Sequence, residues 1–449
     1  MAVAVIVLAA GQGTRMNSDL PKVLHHLGAA PLIAHALAAA TAIEPARVVV
    51  VAGHEAEEVR QAVALFCPEA EVVIQAEQLG TGHAVATALP RLDGFEGRVL
   101  VLYGDTPFIR PETLRDMVAA RADVVVLGFE AAGPGRYGRL VTSQAGLERI
   151  VEFKDATPEE RAITLCNSGV ICADAAILAR LVAGLTNANA AGEYYLTDII
   201  AAARAEGLSA AVVTCAEAET MGINTRAELA RAEALFQARA RADALDNGVT
   251  LTAPDTVFFA LDTWIGRDAV IGPNVVFGPG VTIESGAEVR AFCHLEGCHI
   301  SRGARVGPFA RLRPGAELAE DVHVGNFVEI KNSILDEGVK VGHLTYLGDA
   351  HVGERTNIGA GTVTCNYDGV MKQHTEIGAD AFIGSDTMLV APVRVGAGAL
   401  TGSGSVITVD VPAGAVALGR ARQENKPGLA AKLMERLRAE KARRAGGKA

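Results

Sequence analysis

The chain has 449 residues, 50% of them hydrophobic and 21% charged, with a formal net charge of −11. That length exceeds what one core usually supports, so two or more domains of roughly 100–200 residues are expected in an ordered, soluble globular protein. The acidic balance argues against binding nucleic acid, which depends on many Lys and Arg contacts to phosphate, and no apolar run of about 18 residues suggests a membrane span.

The opening string MAVAVIVLAAGQGTRM lacks the basic start and small-residue cleavage site of a secretory leader, because its apolar run passes straight into a glycine turn. Residues 3–8 therefore read as a first strand. The seven cysteines, Cys67, Cys166, Cys172, Cys215, Cys293, Cys298 and Cys365, are odd in number and show no CxxC spacing. Neither a disulfide framework nor a zinc site is supported, and free thiols in a reducing cytoplasm are expected.

Directly after the first strand come Gly11, Gln12, Gly13, Thr14, Arg15 and Met16, then Pro21 and Lys22. Glycines let the backbone curl its N–H groups around an anion, while Arg15 and Lys22 add full positive charge, so the segment reads as a phosphate cradle. It is not a Walker A loop, and Met16 stands where the dinucleotide fingerprint needs a third glycine. Strand-like segments at 47–51, 71–74, 99–102 and 123–127 alternate with Ala-rich helical stretches up to about residue 225. This pattern predicts a Rossmann-like α/β domain, a mostly parallel sheet with helices on both faces and ligands beyond the carboxyl ends of the strands.

Residues 226–246 are rich in Ala, Arg, Glu and Leu and run into Asn247 and Gly248, which predicts one helix closed by glycine and about 30 Å long. It is expected to link the sheet domain to the C-terminal repeats. From Ile265 a six-residue pattern sets in, through Ile271, Phe277, Ile283, Val289 and Leu295, and again from Ile300 through Val306, Leu312, Leu318, Val324 and Ile330. It continues through Leu335, Val341, Leu347, Val352 and Ile358, and a last stretch runs Ile377, Ile383, Leu389, Val395 to Thr401. Fifth positions such as Ala269, Val275, Val281, Ala287, Ala304, Ala310, Ala316 and Val322 stay small, as a narrow three-sided coil requires, so a parallel β-helix of hexapeptide repeats is predicted. Residues 364–376 break the register and should project as a loop. Arg313, Lys331, His343, Tyr346 and Asn357 fall at outward positions of the repeat, either as a solvated face or as a site. The stretch 432–448, ending at Lys448, is locally basic and reads as a solvated helical tail.

The string LAAGQGTRM followed by PKVLH resembles the signature of sugar-phosphate nucleotidyltransferases. The likeness extends through QAEQLGTGHA at 75–84, VLYGDTPF at 101–108, GRYGRL at 135–140, IVEFKDA at 150–156, NSG at 167–169, EYYLTD at 193–198 and GINT at 222–225. In the repeats, RLRPGAEL, NFVEIKNS, VGHLTYLGDA and NIGAGTVTCNYDG match an acetyltransferase half. Together these cover almost the whole chain, which resembles the bifunctional bacterial N-acetylglucosamine-1-phosphate uridyltransferase/glucosamine-1-phosphate acetyltransferase family.

The resemblance implies a uridyltransferase domain at 1–225, a helical linker at 226–248 and a left-handed β-helix acetyltransferase domain with its basic tail at 249–449. It implies a cytoplasmic homotrimer that takes UTP, sugar 1-phosphates and acetyl-CoA, with Mg²⁺ as cofactor, and makes UDP-N-acetylglucosamine for cell-wall polymers. Carried over residue by residue, it sets uridine against Leu8, Ala9, Ala10, Gly11, Gln75, Gly80, Thr81, Tyr103 and Gly104, and the sugar against Gly138, Glu152 and Asn167. Asp105 and Asn224 would hold Mg²⁺, an oxygen-only partial shell of the kind that ion accepts, with Arg15 and Lys22 neutralising charge; a turn-capping aspartate is the alternative for Asp105. In the repeats it makes His343 the general base, a role suited to an imidazole of pKa about 6.5. Arg313 and Lys331 would hold the sugar phosphate, and Tyr346 and Asn357 the hexosamine. Ala360, Asn366, Tyr367, Lys372, Ser385, Ser403 and Arg420 would line the acetyl-CoA path. The other histidines, including His25, His26, His83 and His374, read as surface or packing residues. Two rivals remain at this point: a single-activity nucleotidyltransferase whose coil only assembles or regulates, and a non-catalytic binding protein on the same solenoid.

Overall fold

The computed structural model describes residues 2–189 and 192–446. The chain divides into two compact units, one of Met1–Ile265 with Pro273–Val281 and one of Gly266–Gly272 with Thr282–Ala449.

The first unit is built on a twisted sheet whose strands run in the spatial order Ala210–Cys215, Val124–Glu130, Leu165–Asp174, Arg98–Tyr103, Val3–Ala9, Arg47–Ala52, Glu71–Ile74. In that row every neighbour pair is parallel except those of Leu165–Asp174, which runs against both its neighbours, and the antiparallel pair Arg139–Ser143 and Gly146–Val151 joins the sheet beside it. The strands are near-continuous Val/Ile/Leu runs because helices cover both faces. Alternate residues feed two cores: Ile6, Val101 and Val126 meet Val85 and Leu178, while Val5, Leu100 and Val50 meet Leu37 and Met117. The antiparallel strand carries a register shift between Asn167 and Ile171, an irregularity of the kind that re-aims side chains beside sites.

The helix expected at 226–246 is Arg226–Asp246. Thr225 caps its start, accepting from Glu228 N while the Glu228 carboxylate accepts from Thr225 N, and Gly248 follows its end at φ 84°. Its buried Gln237 makes two 2.8 Å hydrogen bonds to the Phe259 backbone, which ties the helix into the first unit.

The second unit is a parallel coil with three inward columns. Leu318, Leu335, Val352, Ile377 and Val395 stack in register along one face. Val289, Val306, Val324, Val341, Ile358 and Ile383 line the second, and Leu295, Leu312, Ile330 and Leu347 the third. All of these side chains are buried, as are the small fifth positions of the repeat, which is consistent with the left-handed coil the resemblance implies. Ile265 differs, being only half-buried. Shortening one inward side chain to Ala would cost about 2–5 kcal/mol, because neighbouring rungs cannot collapse into the gap.

Two details depart from the pattern reading. The strands Val363–Cys365 and Thr375–Ile377 stay in the ladder, so the projecting segment is 366–374 and not 364–376. The Thr364 hydroxyl holds its end by bonding the Gly348 backbone, and Thr375 is buried opposite Ala350. The coil also runs beyond Thr401, through Val406–Ile407 and Val416–Ala417. The basic tail is helical over Leu429–Gly446, while Lys448 lies outside the described residues. Among the described residues no helix is long and apolar enough to cross a membrane.

Candidate functional site

In the first unit the central strand delivers Leu8, Ala9 and Ala10, all buried, to the glycine turn, and Gly11 is exposed with open space where a Cβ would stand. Gly13 adopts φ 66°, and a Cβ there would lie 2.5 Å from Lys22 Cβ, so glycine is what allows the two arms of the turn to close. Lys22 sits in the short 3₁₀ turn Lys22–Leu24, and its ammonium donates to the Asp105 carboxylate and, at 3.0 Å, to Asn224 Oδ1. Arg15 Nη2 reaches the same Asn224 oxygen at 2.8 Å.

Asp105 follows the strand Arg98–Tyr103, and its carbonyl accepts from Ile223 N. Asn224 is held at the start of the long helix by Glu228, which accepts from its backbone N–H at 2.8 Å. The structure therefore brings Arg15, Lys22, Asp105 and Asn224 into one cluster. Two oxygen donors, a carboxylate and an amide carbonyl, converge on a single cation in it, and such a partial shell fits Mg²⁺, which keeps waters and shares substrate phosphates. No group of three or more His, Cys, Asp or Glu side chains arranged for a metal occurs among the described residues.

The other predicted residues make local contacts with one another in the same unit. Asn167 N donates to Gly138 O at 2.9 Å, and a Cβ on Gly138 would meet Glu152 Oε1 and Asn167 Cβ, so these three stand together. Burial raises the Glu152 carboxyl above its ordinary range, and Thr197 donates to it at 3.4 Å. Gly169, at φ 94°, lies against the Tyr103 ring, whose phenol burial pushes upward in pKa. Thr81 Oγ1 accepts from Leu196 N at 3.1 Å, which brings the EYYLTD segment beside Thr81. Gln75 is buried beside Gly80. Sequence reasoning missed Gln78, whose amide donates to Ala10 O at 2.7 Å; its place in QAEQLGTG was the available signal.

In the second unit His343 ends the strand Lys340–His343 and is exposed. Its Nδ1 meets Oδ1 of Asn326, the residue facing it one rung away. With the ring proton on Nδ1 toward that acceptor, the Nε2 lone pair is left open. Asn326 was not foreseen, because only the rung register brings it to the imidazole.

Arg313, Lys331, Tyr346 and Asn357 are half-buried where outward exposure was expected, since neighbouring rungs flank them. Arg313 pairs with Glu329 at 2.9 Å. The Lys372 ammonium beside Lys331 lowers the Lys331 pKa, as two cations held close will. Asp349 was also missed: its buried carboxylate accepts from Asn332 Nδ2 at 2.6 Å and from Asn366 Nδ2. Burial works against its ionisation, but these donors and the two lysines outweigh it and hold its pKa low. A Cβ on Gly348 would strike the Tyr346 ring and the Asn366 amide, so Tyr346 and Asn366 share this patch with Lys331 and Lys372. Tyr367 is exposed on the projecting segment and bridges to Lys372.

Ala360, Ser385 and Ser403 follow one another up the coil, linked by Asp386 N to Ala360 O and Gly404 N to Ser385 O, both 2.7 Å. Asn357 pairs in register between Lys340 and Phe382. Arg420 is exposed past the strand Val416–Ala417, and among the described residues no hydrogen bond or ion pair joins it to the others. Nor does a hydrogen bond join the His343–Asn326 pair to the Lys331–Asp349 patch.

Residues 5–253 match the MobA-like NTP transferase domain family, and residues 262–297 match the bacterial transferase hexapeptide family of six repeats. Curated relatives match over nearly the whole chain. Bifunctional protein GlmU of Cereibacter sphaeroides is 76% identical over 97% of this chain and 97% of its own length. The protein of the same name from Paracoccus denitrificans is 73% identical over 98% of each chain, and that from a Ruegeria species is 66% identical over 100% of each. The chain belongs to the GlmU family of bifunctional proteins.

Proposed function

We propose that the chain makes UDP-N-acetylglucosamine in two steps, acetylating glucosamine 1-phosphate with acetyl-CoA and then transferring a uridylyl group from UTP with release of pyrophosphate. The observation that carries this reading is one chain holding both the cluster Arg15–Lys22–Asp105–Asn224 beside a glycine turn and an exposed imidazole, His343, bonded to Asn326 on a hexapeptide coil, in a family named for two functions. The division into a uridyltransferase domain at 1–225, a helical linker at 226–248 and an acetyltransferase domain at 249–449 belongs to the same proposal.

In the uridylyl step the sugar 1-phosphate oxygen attacks the α-phosphorus of UTP and pyrophosphate leaves, with no covalent enzyme intermediate, so positioning and charge neutralisation supply the catalysis. The amides of the glycine turn, Arg15 and Lys22 would grip the triphosphate, and Asp105 and Asn224 would hold Mg²⁺. When bound, that ion neutralises developing phosphate charge. Gly138, Glu152 and Asn167 would seat the sugar.

In the acetyl step the glucosamine nitrogen attacks the thioester carbonyl, His343 Nε2 takes the amine proton, and CoA departs as the thiolate, which is then protonated. Arg313 and Lys331 would hold the sugar phosphate, with Tyr346 and Asn357 at the hexosamine. Asn366, Tyr367, Lys372, Ala360, Ser385, Ser403 and Arg420 would follow the acetyl-CoA. The exposed Phe292, Phe309 and Phe327, stacked with centroids 4.9 and 5.2 Å apart, support burial of one face in a homotrimer. A cytoplasmic location follows from where these co-substrates are found. A coupled assay with glucosamine 1-phosphate, acetyl-CoA and UTP tests the reading: omission of UTP should stop the reaction at N-acetylglucosamine 1-phosphate, and absence of either half-reaction overturns it.

A further inference from the structure

We infer that His83 is a positioning residue that locks the Gln75 amide in the orientation distinguishing uracil from cytosine, an inference that rests on the proposed seating of uracil against Gln75. Gln75 directly follows the edge strand Glu71–Ile74, with its backbone N–H on Ala52 O at 2.8 Å and the residue as a whole 4% exposed. Its Nε2 lies 3.2 Å from Gly80 O and 2.9 Å from His83 Nδ1. A backbone carbonyl can only accept, so the amide nitrogen, not the oxygen, must face Gly80. His83 Nδ1 accepts the second N–H when its ring proton is on Nε2.

Both partners are rigid. Gly80 sits at φ 110° with the Tyr194 backbone 2.7 Å from where a Cβ would be, and its carbonyl also takes the first bond of the helix Thr81–Ala88, from Ala84 N. His83 lies within the first turn of that helix. With both amide hydrogens spent, Gln75 is left with Oε1, to which no hydrogen bond runs among the described residues. That atom is a fixed acceptor. Uracil offers it the N3–H, whereas cytosine turns an N3 lone pair toward it, and a buried acceptor facing an acceptor is penalised far more than a missing contact. Without His83 one N–H loses its partner and only the Gly80 carbonyl still opposes turning the amide over, so the orientation that presents a donor to cytosine becomes less costly. His83, read from sequence as a packing residue, thereby becomes a specificity determinant.

The test measures kcat/KM for UTP and for CTP in pyrophosphate release by the full chain, with melting temperature and acetyl transfer as folding controls. His83→Phe keeps the bulk and removes the acceptor; it should lower the UTP-to-CTP ratio by about threefold to tenfold, chiefly through the KM for UTP. His83→Asn places an oxygen near the Nδ1 position and should keep the parent ratio. If His83→Phe does not fold, His83→Ala against His83→Asn makes the same comparison. Equal ratios in the parent and the acceptor-less variants, or an equal fall in His83→Asn, would overturn the inference. Gln75→Ala separates it from the reading beneath: an unchanged ratio there removes uracil from Gln75 altogether, whereas a collapsed ratio with a silent His83 rejects only the role of the histidine.

Discussion

In the first unit Lys22 meets Asp105 across 83 residues of sequence and Asn224 across 202, whereas in the second Asn326 and His343 lie 17 apart on neighbouring rungs. One cluster is assembled by the convergence of a turn, a strand end and a helix start. The other is assembled by a repeat length, since any two positions one rung apart are brought face to face. The first arrangement depends on close approach of distant backbone segments; the second depends on inward columns keeping register. Damage to each should therefore look different.

The largest effects should separate the two regions cleanly. Asp105→Ala should cut pyrophosphate release on the order of a thousandfold while acetyl transfer continues, as expected for loss of a charged group acting on the transferring phosphate. His343→Ala should do the reverse, lowering acetyl transfer about a hundredfold or more in steady-state assays with uridylyl transfer intact. Loss of both activities in either variant would break the comparison.

A smaller effect sharpens the convergence argument. Gly13→Ala must hold an alanine at φ 66° with its Cβ 2.5 Å from Lys22 Cβ. The strain alone is about 1–2 kcal/mol, so kcat/KM for UTP should fall about tenfold with little change in the acetyl step.

The smallest test addresses the rungs. His351 lies between Asp336 at 3.0 Å and Glu376 at 2.9 Å. Burial pulls its pKa down, but the two carboxylates outweigh that and hold it above the ordinary value. A raised folded-state pKa stabilises the fold below the unfolded value and loses that contribution as pH climbs through the folded value. The melting-temperature deficit of His351→Gln should therefore be larger near about pH 6 than near about pH 8.5, by a few degrees at most for a partly exposed pair. A deficit independent of pH would mean that the imidazole only fills space.

The same contrast explains what could be read in advance. The inward columns from Ile271 to Val395 were legible because one side chain per hexad has no choice but to face the core, and the glycine turn was legible because few other sequences bend that way. The helix Arg226–Asp246 matched its expected bounds because the Thr225/Glu228 cap and Gly248 are local signals. The ends of the projecting loop were misplaced because a break in the six-residue register does not show where pairing stops and resumes, and Thr364 and Thr375 still pair within the coil. Asn326, Asp349 and Gln78 went unseen, and His83 was read as a surface or packing residue, for a shared reason: each pairs with a side chain or carbonyl that comes near only once the chain is folded. Asp349 shows this best, since its carboxylate orients Asn332 and Asn366 from 17 residues away on either side.

The central claim of the proposed function is that one chain carries two sites that work independently, so that an intermediate made at one can be used at the other on a different molecule. Mixing Asp105→Ala with His343→Ala in the presence of glucosamine 1-phosphate, acetyl-CoA and UTP tests it directly. The account predicts that the mixture forms UDP-N-acetylglucosamine although neither variant does so alone; a mixture that forms none, with each variant retaining its own half-reaction, would contradict it.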